Sequence, residues 1–254
     1  MTKISATIIT LNEQSRIEQC LRSLRGIADE IIVVDSFSSD DTAEICRKSG
    51  CKVSQRKFQG YGAQRQYATS LTSHRYVLAI DADEVLSPAL RKNLMKLKAD
   101  GFTHRVYAFS RLNFYCGTPV RHSGWYPDLQ TRLFDKSYAS WNLRDVREKV
   151  VFPDSVRPCL VEGDILHYRC DTPADYRRTQ ALQAALRGRV LAANNDSISP
   201  MAPLVNGIRD FIGCLIGRGA ILDGSVGRAI SRECFRSTFI SYRLARRILK
   251  NKNN

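Results

Sequence analysis

Asp81 and Asp83, separated only by Ala82, close the apolar run YVLAID as Asp-Ala-Asp. On an extended backbone, residues two apart share a side, so both carboxylates project together with the small Ala82 opposite. Carboxylates so close repel unless one is protonated or a cation sits between them. A hard divalent ion that keeps positions open for diphosphate oxygens meets that need. Two earlier apolar runs also end in polar groups: Thr10, with Asn12 and Glu13 just beyond it, and Asp35. In open parallel sheets, ligands bind outside the carboxyl ends of the strands, which places these side chains on one rim. Helix capping accounts for Asn12 and Asp41. It does not account for Asp35, Asp81 and Asp83 together.

The elements that must position these groups alternate along the first hundred residues. ISATIIT (4–10) is a β-rich run, and Asn12 is placed to cap a helix with apolar positions at Ile17, Leu21 and Leu24. EIIVVD (30–35) has the continuous apolar character of a strand buried on both faces. Asp41 with Glu44 suits the start of a helix through Lys48, and a third strand is expected at 52–56. Gly60 and Gly62 lead into a helix reaching Ser73, the fourth strand is YVLAID (76–81), and Pro88 opens a helix to Ala99. Strand, helix, strand in short succession predicts a parallel sheet flanked by helices. Past residue 100 the alternation decays, with strands expected at 105–111, 131–134 and 159–168. Thr172-Pro173 with Asp175 starts a helix to Ala193, and two amphipathic segments follow, 202–216 and 226–250.

Composition narrows the classes. The 254 residues are 43% hydrophobic and 25% charged, which suits a folded globular chain rather than a disordered one. The formal charge of +14 points to a polyanionic partner: nucleic acid, an acidic membrane surface or a phosphorylated substrate. The eight cysteines are scattered with no Cys-x-x-Cys, which argues against a zinc ribbon or a thioredoxin-type centre. No signal-peptide pattern precedes Ile4, so reduced thiols and a cytoplasmic setting are expected. No apolar run of about 18 residues is present, so a spanning helix is not expected.

The loop Thr10-Leu11-Asn12-Glu13, VVDSFSSDDT (33–42), GYGAQRQYA (60–68) and AIDADEVL (79–86) together resemble family 2 glycosyltransferases of the GT-A fold. RHSGWYPD (121–128), RLF (132–134) and ILDGSVG (221–227) are similar to a bacterial subgroup, the lipopolysaccharide core heptose β-1,4-glucosyltransferases. The resemblance implies a Rossmann-like, mostly parallel α/β sheet flanked by helices, with a C-terminal helical extension. It divides the chain into a nucleotide-sugar-binding half (1–100), an acceptor-binding half (101–195) and a basic helical tail (196–254). It implies inverting transfer of a hexose, glucose in the subgroup, from a UDP-sugar, with Mg²⁺ or Mn²⁺ as cofactor. By position, Asp35 would bond the uracil edge, Thr10, Asn12 and Glu13 would line base and ribose, and Arg65 would meet the diphosphate. Asp81 would face ribose and metal, and Asp83 would bind the metal. Gln66 stands where an asparagine commonly follows the arginine.

Inversion by single displacement needs a carboxylate on the acceptor side to take the hydroxyl proton. Glu148, in Asp-Val-Arg-Glu, sits where the subgroup shows Val-His-Glu, with Arg147 in place of the histidine. Asp128, in Trp-Tyr-Pro-Asp, is the rival; either residue can also be an ordinary ion-paired acid. His167, after Ile165-Leu166, is by its setting a packed core residue, whereas the resemblance makes it a further metal or phosphate contact. Trp125, Tyr126 and Trp141 are candidates for stacking on sugar rings, with core packing as the other role.

Residues 201–254 hold ten Lys or Arg against three Asp or Glu, half of the net charge. The last segment interleaves Phe235, Phe239, Ile240, Leu244 and Ile248 with Arg232, Arg236, Arg243, Arg246 and Arg247. Such a helix either lies on an anionic bilayer surface or docks on the catalytic domain with a solvated basic face. The expected partners are therefore a UDP-sugar, a lipopolysaccharide-core or other glycolipid acceptor, and the anionic inner face of the inner membrane, without nucleic acid. Other readings are weaker. A transferase acting on another lipid-linked envelope glycan fits the same motifs. A haloacid-dehalogenase-type phosphatase carries its Asp-x-Asp on the first strand, and a dinucleotide enzyme needs Gly-x-Gly-x-x-Gly there. A nucleic-acid binder would leave repulsive acids at its strand ends.

Overall fold

Alternation builds the amino-terminal part as expected. β1 (Ile4–Thr10), α1 (Ile17–Leu24), β2 (Glu30–Asp35), α2 (Thr42–Lys48), β3 (Lys52–Gln55), α3 (Tyr61–Ser70) and β4 (Tyr76–Asp81) follow in order in the computed structural model, which describes residues 1–143 and 148–252. Next come β5 (Glu84–Leu86), α4 (Pro88–Asp100), β6 (Val106–Tyr115), β7 (Thr118–Pro119), β8 (Asp128–Asp135), β9 (Ser140–Trp141), β10 (Val150–Val151) and β11 (Cys159–Cys170). The chain continues with α5 (Pro173–Ala193), α6 (Ala202–Ile212), a π-helical turn (Gly213–Gly217), a 3-10 turn (Ala220–Asp223) and α7 (Gly224–Lys252).

The main sheet has the order β3-β2-β1-β4-β8-β6-β11-β5, with β7 beside β6. β3, β2, β1 and β4 are mutually parallel, and β8 runs antiparallel to β4 and β6. The continuous apolar character of β4 has its cause in double-sided burial. Leu78 and Ile80 join one core with Ile8, Ile17, Leu21, Leu24 and Leu90, while Val77 and Ala79 join another with Phe134, Trp141 and Val150. Register sets the rim. Thr10 pairs with Asp35 and Ile9 with Asp81, so the carboxyl ends of β1, β2 and β4 finish level.

By compactness the chain divides into Met1–Arg111 with Asp128–His167, and Leu112–Pro127 with Tyr168–Asn254. These boundaries fall within β6, just before β8 and within β11. The second unit is helical. α7 packs against α5 and α6 through small and polar residues: a Cβ on Gly188 would sit 2.9 Å from the Ser241 carbonyl oxygen, and the Ser241 hydroxyl donates to the Ala184 carbonyl at 3.0 Å. The start of α5 follows expectation, as Thr172 and Asp175 form a reciprocal capping box. No helix among the described residues is long and apolar enough to cross a membrane.

Three local expectations need correction. α1 begins at Ile17 and Asn12 does not cap it, because Asn12 takes a left-handed φ of 56° and its side chain accepts from the Ser39 amide at 2.8 Å. Asp41 precedes α2 without a side-chain capping bond; nearby, Thr42 donates to Asp40 instead. The segment expected as one helix to residue 216 ends at Ile212 and widens into the π-turn.

Opposite the rim, Glu30 ties three strands. Its carboxylate accepts from Ser5 Oγ and the Ser73 amide at 2.5 Å, and from Lys52 Nζ and Ser73 Oγ at 3.0 Å. Burial would raise its pKa, but these donors outweigh burial and lower it from 4.5 to about 2. A depressed folded pKa stabilises fully above the unfolded value and is lost as pH falls through the folded one. Urea midpoints should therefore drop as pH falls from 4.5 to about 2. Glu30→Gln should be less stable near neutrality and flatter across that window.

Candidate active site

β4 delivers Asp81 to the rim, α3 carries Arg65 there, and β8 supplies Arg132. Asp81 Oδ1 lies 2.5 Å from Arg65 Nη2, and its Oδ2 accepts from Arg132 Nη2 at 3.0 Å. Arg65 Nε reaches Glu148 Oε1 at 3.3 Å. On the other side, Arg132 Nη2 and Arg111 Nη1 converge on Glu84 Oε1 at 3.3 and 3.2 Å, and Glu84 Oε2 accepts the Asp81 amide at 3.0 Å. Arg111 continues to Asp128 Oδ2 through Nη2 at 2.7 Å and Nε at 2.8 Å, while Gln130 Nε2 donates to Oδ1 at 2.6 Å. The result is an alternating chain, Asp128–Arg111–Glu84–Arg132–Asp81–Arg65–Glu148, with one more carboxylate than guanidinium.

Its interior is desolvated. Glu84 has no exposed surface, and Arg65 and Arg132 are 5% and 4% exposed. Burial alone would push the Asp81 carboxyl up, but the Arg65 and Arg132 guanidiniums outweigh it and hold it well below the ordinary carboxylate range. Burial also works against charge on Arg132, and Glu84 and Asp81 more than restore it. Trp141 forms the floor: the guanidinium carbons of Arg65 and Arg132 lie 5.0 and 5.9 Å from its ring centre. A cleft of about 530 Å³ opens over this floor, lined among others by Arg65, Asp81, Arg111, Arg132, Glu148 and Lys149.

The two acids of Asp-Ala-Asp take different partners. β4 ends at Asp81, and Ala82 and Asp83 form a turn. The physical expectation of mutual repulsion is met differently at each: Asp81 is neutralised by two arginines, and Asp83 Oδ2 lies 3.2 Å from His167 Nε2. The His167 contact arises from register, because β11 pairs His167 with Glu84 immediately after the turn. His167 is thus at the rim, not in the core. Among the described residues, no three His, Cys, Asp or Glu side chains converge as a closed metal cage. One carboxylate oxygen beside one imidazole nitrogen is a donor pair that would suit a divalent ion shared with a phosphorylated ligand.

The remaining expected residues form a second cluster along the rim of β1 and β2. Asp35 is fully buried and accepts from Ser38 (amide 3.0 Å, hydroxyl 2.5 Å) and from Gln55 Nε2 at 3.3 Å. The Asn12 amide donates to Ser38 Oγ at 2.9 Å, and the Glu13 amide to Thr42 Oγ1 at 2.8 Å. Thr10 is 5% exposed, with its hydroxyl unpartnered among the described residues. Arg147 lies outside the described residues. Of the aromatic candidates, Trp141 is 5% exposed beneath the arginines. Trp125 is enclosed in the second unit, with Tyr176 and Tyr115 ring centres at 5.7 and 6.5 Å and the Arg169 guanidinium at 4.9 Å. Both tryptophans thus pack against aromatic or guanidinium neighbours.

Sequence reasoning overlooked Glu84, Arg111, Arg132 and Gln130. Glu84 stood inside AIDADEVL and Arg132 inside RLF, so the signal was present as unexplained charge next to apolar strand residues.

With the rim, the paired arginines and the Asp83–His167 contact in place, the class is defined: the chain belongs to glycosyl transferase family 2, whose description matches residues 5–146. Its architecture is the GT-A type α/β sheet with a C-terminal helical extension. The chain is 39% identical over 141 residues to an uncharacterized glycosyltransferase of Rickettsia conorii, covering 55% of this chain and 50% of that one. It is 29% identical over 171 residues to the lipopolysaccharide core biosynthesis glycosyltransferase LpsC of Rhizobium meliloti, covering 65% and 63%. It spans about half the length of the first of these relatives. Among solved structures, glucosyl-3-phosphoglycerate synthase from Mycobacterium tuberculosis, in complex with Mn²⁺ and UDP, is 25% identical over 44% of each chain at a TM-score of 0.37.

Removing one partner of a buried ion pair strands the other charge. Arg132→Met should therefore cost about 3–5 kcal/mol in urea denaturation, because Glu84 and Asp81 both lose a partner. Lys96→Met, on the exposed face of α4, should cost less than about 1 kcal/mol and serves as the control.

Proposed function

We propose that the protein is an inverting, metal-dependent glycosyltransferase that moves a hexose, glucose as the favoured donor sugar, from a UDP-sugar to a lipopolysaccharide inner-core sugar, a heptose. The observation that carries the reading is the level rim of β1, β2 and β4, where the Asp83–His167 pair lies next to the Arg65–Asp81–Arg132 cluster. Membership of glycosyl transferase family 2 supports the reaction class, and the similarity to LpsC, a lipopolysaccharide core enzyme by name, supports the acceptor.

On this reading Thr10, Asn12, Glu13 and Asp35 bind the uridine, with the buried Asp35 taking the N–H edge of uracil. Asp81 faces the ribose. Asp83 and His167 hold Mg²⁺ or Mn²⁺, which when bound offsets the negative charge of the departing diphosphate. The excess of carboxylate over guanidinium explains why such an ion is needed: a diphosphate entering the cleft meets arginines that are already neutralised. Arg65 exchanges part of its pairing with Asp81 and Glu148 for phosphate oxygens. Glu148 then faces the acceptor as general base. As the acceptor oxygen bonds to the anomeric carbon, its proton passes to Glu148 and the bond from that carbon to the phosphate oxygen breaks, releasing UDP. Glu148 is favoured over Asp128 because it lines the cleft, whereas both Asp128 oxygens are engaged by Arg111 and Gln130. The protein acts in the cytoplasm as a peripheral protein on the inner face of the inner membrane, attached through its basic C-terminal region.

Two measurements test the assignments. Asp83→Ala and His167→Ala should each lower metal-dependent UDP-glucose turnover by about 10²–10³, with unchanged thermal unfolding. Wild-type turnover in Asp83→Ala, or turnover insensitive to chelator, would overturn the metal reading. Glu148→Gln should lower transfer by about 10²–10⁴ at nearly unchanged UDP affinity. If Asp128→Asn does this instead, the base is Asp128.

A further inference from the structure

Of the two roles open to the last helix, a bilayer surface or docking within the protein, its apolar face is largely used in packing inside the second unit. A Cβ on Gly207 of α6 would lie 3.0 Å from the Phe235 ring, and Phe235, Phe239, Ile240 and Leu244 are only half-exposed. Exposed apolar side chains lie on α5 (Leu182, Leu186, Val190) and, as the longer row, on α6 and its continuation. Leu204, Val205, Ile208, Ile212 and Ile216 recur at helical spacing and are 41%, 57%, 46%, 49% and 69% exposed, and Leu222 in the 3-10 turn is 69% exposed. A ridge this large is uncommon on a soluble surface without a partner.

We infer that this α6 ridge is the surface that inserts into an anionic phospholipid bilayer. The inference deepens the membrane attachment proposed above and rests on it. Charge selects the occupant. Arg209 on α6 and Arg218 just after the π-turn are exposed, and Arg228 is exposed on the first turns of α7. The nearby acids are internally committed: Asp210 accepts from Thr238 Oγ1 at 2.6 Å and pairs with Arg209, while Asp223 accepts from the loop at residues 121–123. A second, independent feature has the same dual character. Near the end of α7 a groove of about 790 Å³ sets apolar Phe239 and Leu244 beside Arg243, Arg246, Arg247 and Lys250. Apolar walls under a row of cations suit acyl chains beneath phosphate headgroups. A water-soluble polyanion would satisfy the arginines and leave the ridge wet. A helix of this length lies along the interface rather than across it.

The test uses the full chain with phosphatidylcholine vesicles, with and without phosphatidylglycerol, in co-sedimentation. Wild-type protein should bind the anionic vesicles and only weakly the neutral ones. Ile208→Asp with Ile212→Asp should lower the partition coefficient roughly tenfold or more, with unchanged circular dichroism and UDP binding. Arg243→Gln with Arg247→Gln should reduce binding mainly at low salt. Equal vesicle binding by the ridge variant and wild type overturns the inference. So does a wild-type dimer that binds no vesicles and becomes monomeric on ridge substitution, since the ridge would then face a second copy. UDP-glucose turnover is scored separately: vesicle binding without turnover keeps the ridge and removes the transferase reading, and the reverse result does the opposite.

Discussion

Placing the Glu84 carboxylate in the fully desolvated interior of the first unit constrains everything at the rim. Such a group is tolerated only when its oxygens are saturated by good donors. Arg111, Arg132 and the Asp81 amide supply them, and in doing so they fix both arginines. Arg132 held in this way can reach Asp81, Asp81 then orients Arg65, and Arg65 positions Glu148. The cleft therefore inherits its geometry from the core. Its side chains are held by a network whose reorganisation is costly, which is the kind of preorganisation that electrostatic catalysis requires.

The neutralisation of Asp81 by arginine also changes how its neighbour is understood. Read as sequence, Asp81 and Asp83 form one acidic pair. In space they belong to different partnerships, one with guanidiniums and one with an imidazole. The turn at Ala82 and Asp83 separates them, and directly after it β5 pairs antiparallel with β11, which brings His167 beside Asp83.

What could be read directly from residues was whatever depends on local periodicity and on adjacent chemistry. The runs EIIVVD and YVLAID gave strands at their true bounds, and Thr172-Pro173 gave the start of α5 to the residue. The short strands β5, β7, β9 and β10 have too few residues to show a period, and their partners lie far along the chain. Asn12 was misjudged as a cap because its actual partner, Ser39, is 27 positions away. Glu84 went unassigned for the same reason: its significance comes from Arg111 and Arg132, which are 27 and 48 positions distant. The α7 pattern of alternating aromatic and basic residues was genuine amphipathicity, but periodicity cannot say which neighbour covers an apolar face. Here α5 and α6 cover much of it, leaving the α6 ridge uncovered.

Asp223 has a consequence for how this sequence can change. Its carboxylate accepts from the successive amides of Arg121 and His122 and from the Ser123 hydroxyl, about a hundred positions upstream. Ser123 and Gly124 both hold left-handed φ angles, the curvature that turns consecutive N–H groups toward one anion. A single acid thus sets the shape of a loop to which it is not adjacent in the chain. A substitution at Asp223 would therefore release the RHSG loop, although the two stretches lie far apart in the chain.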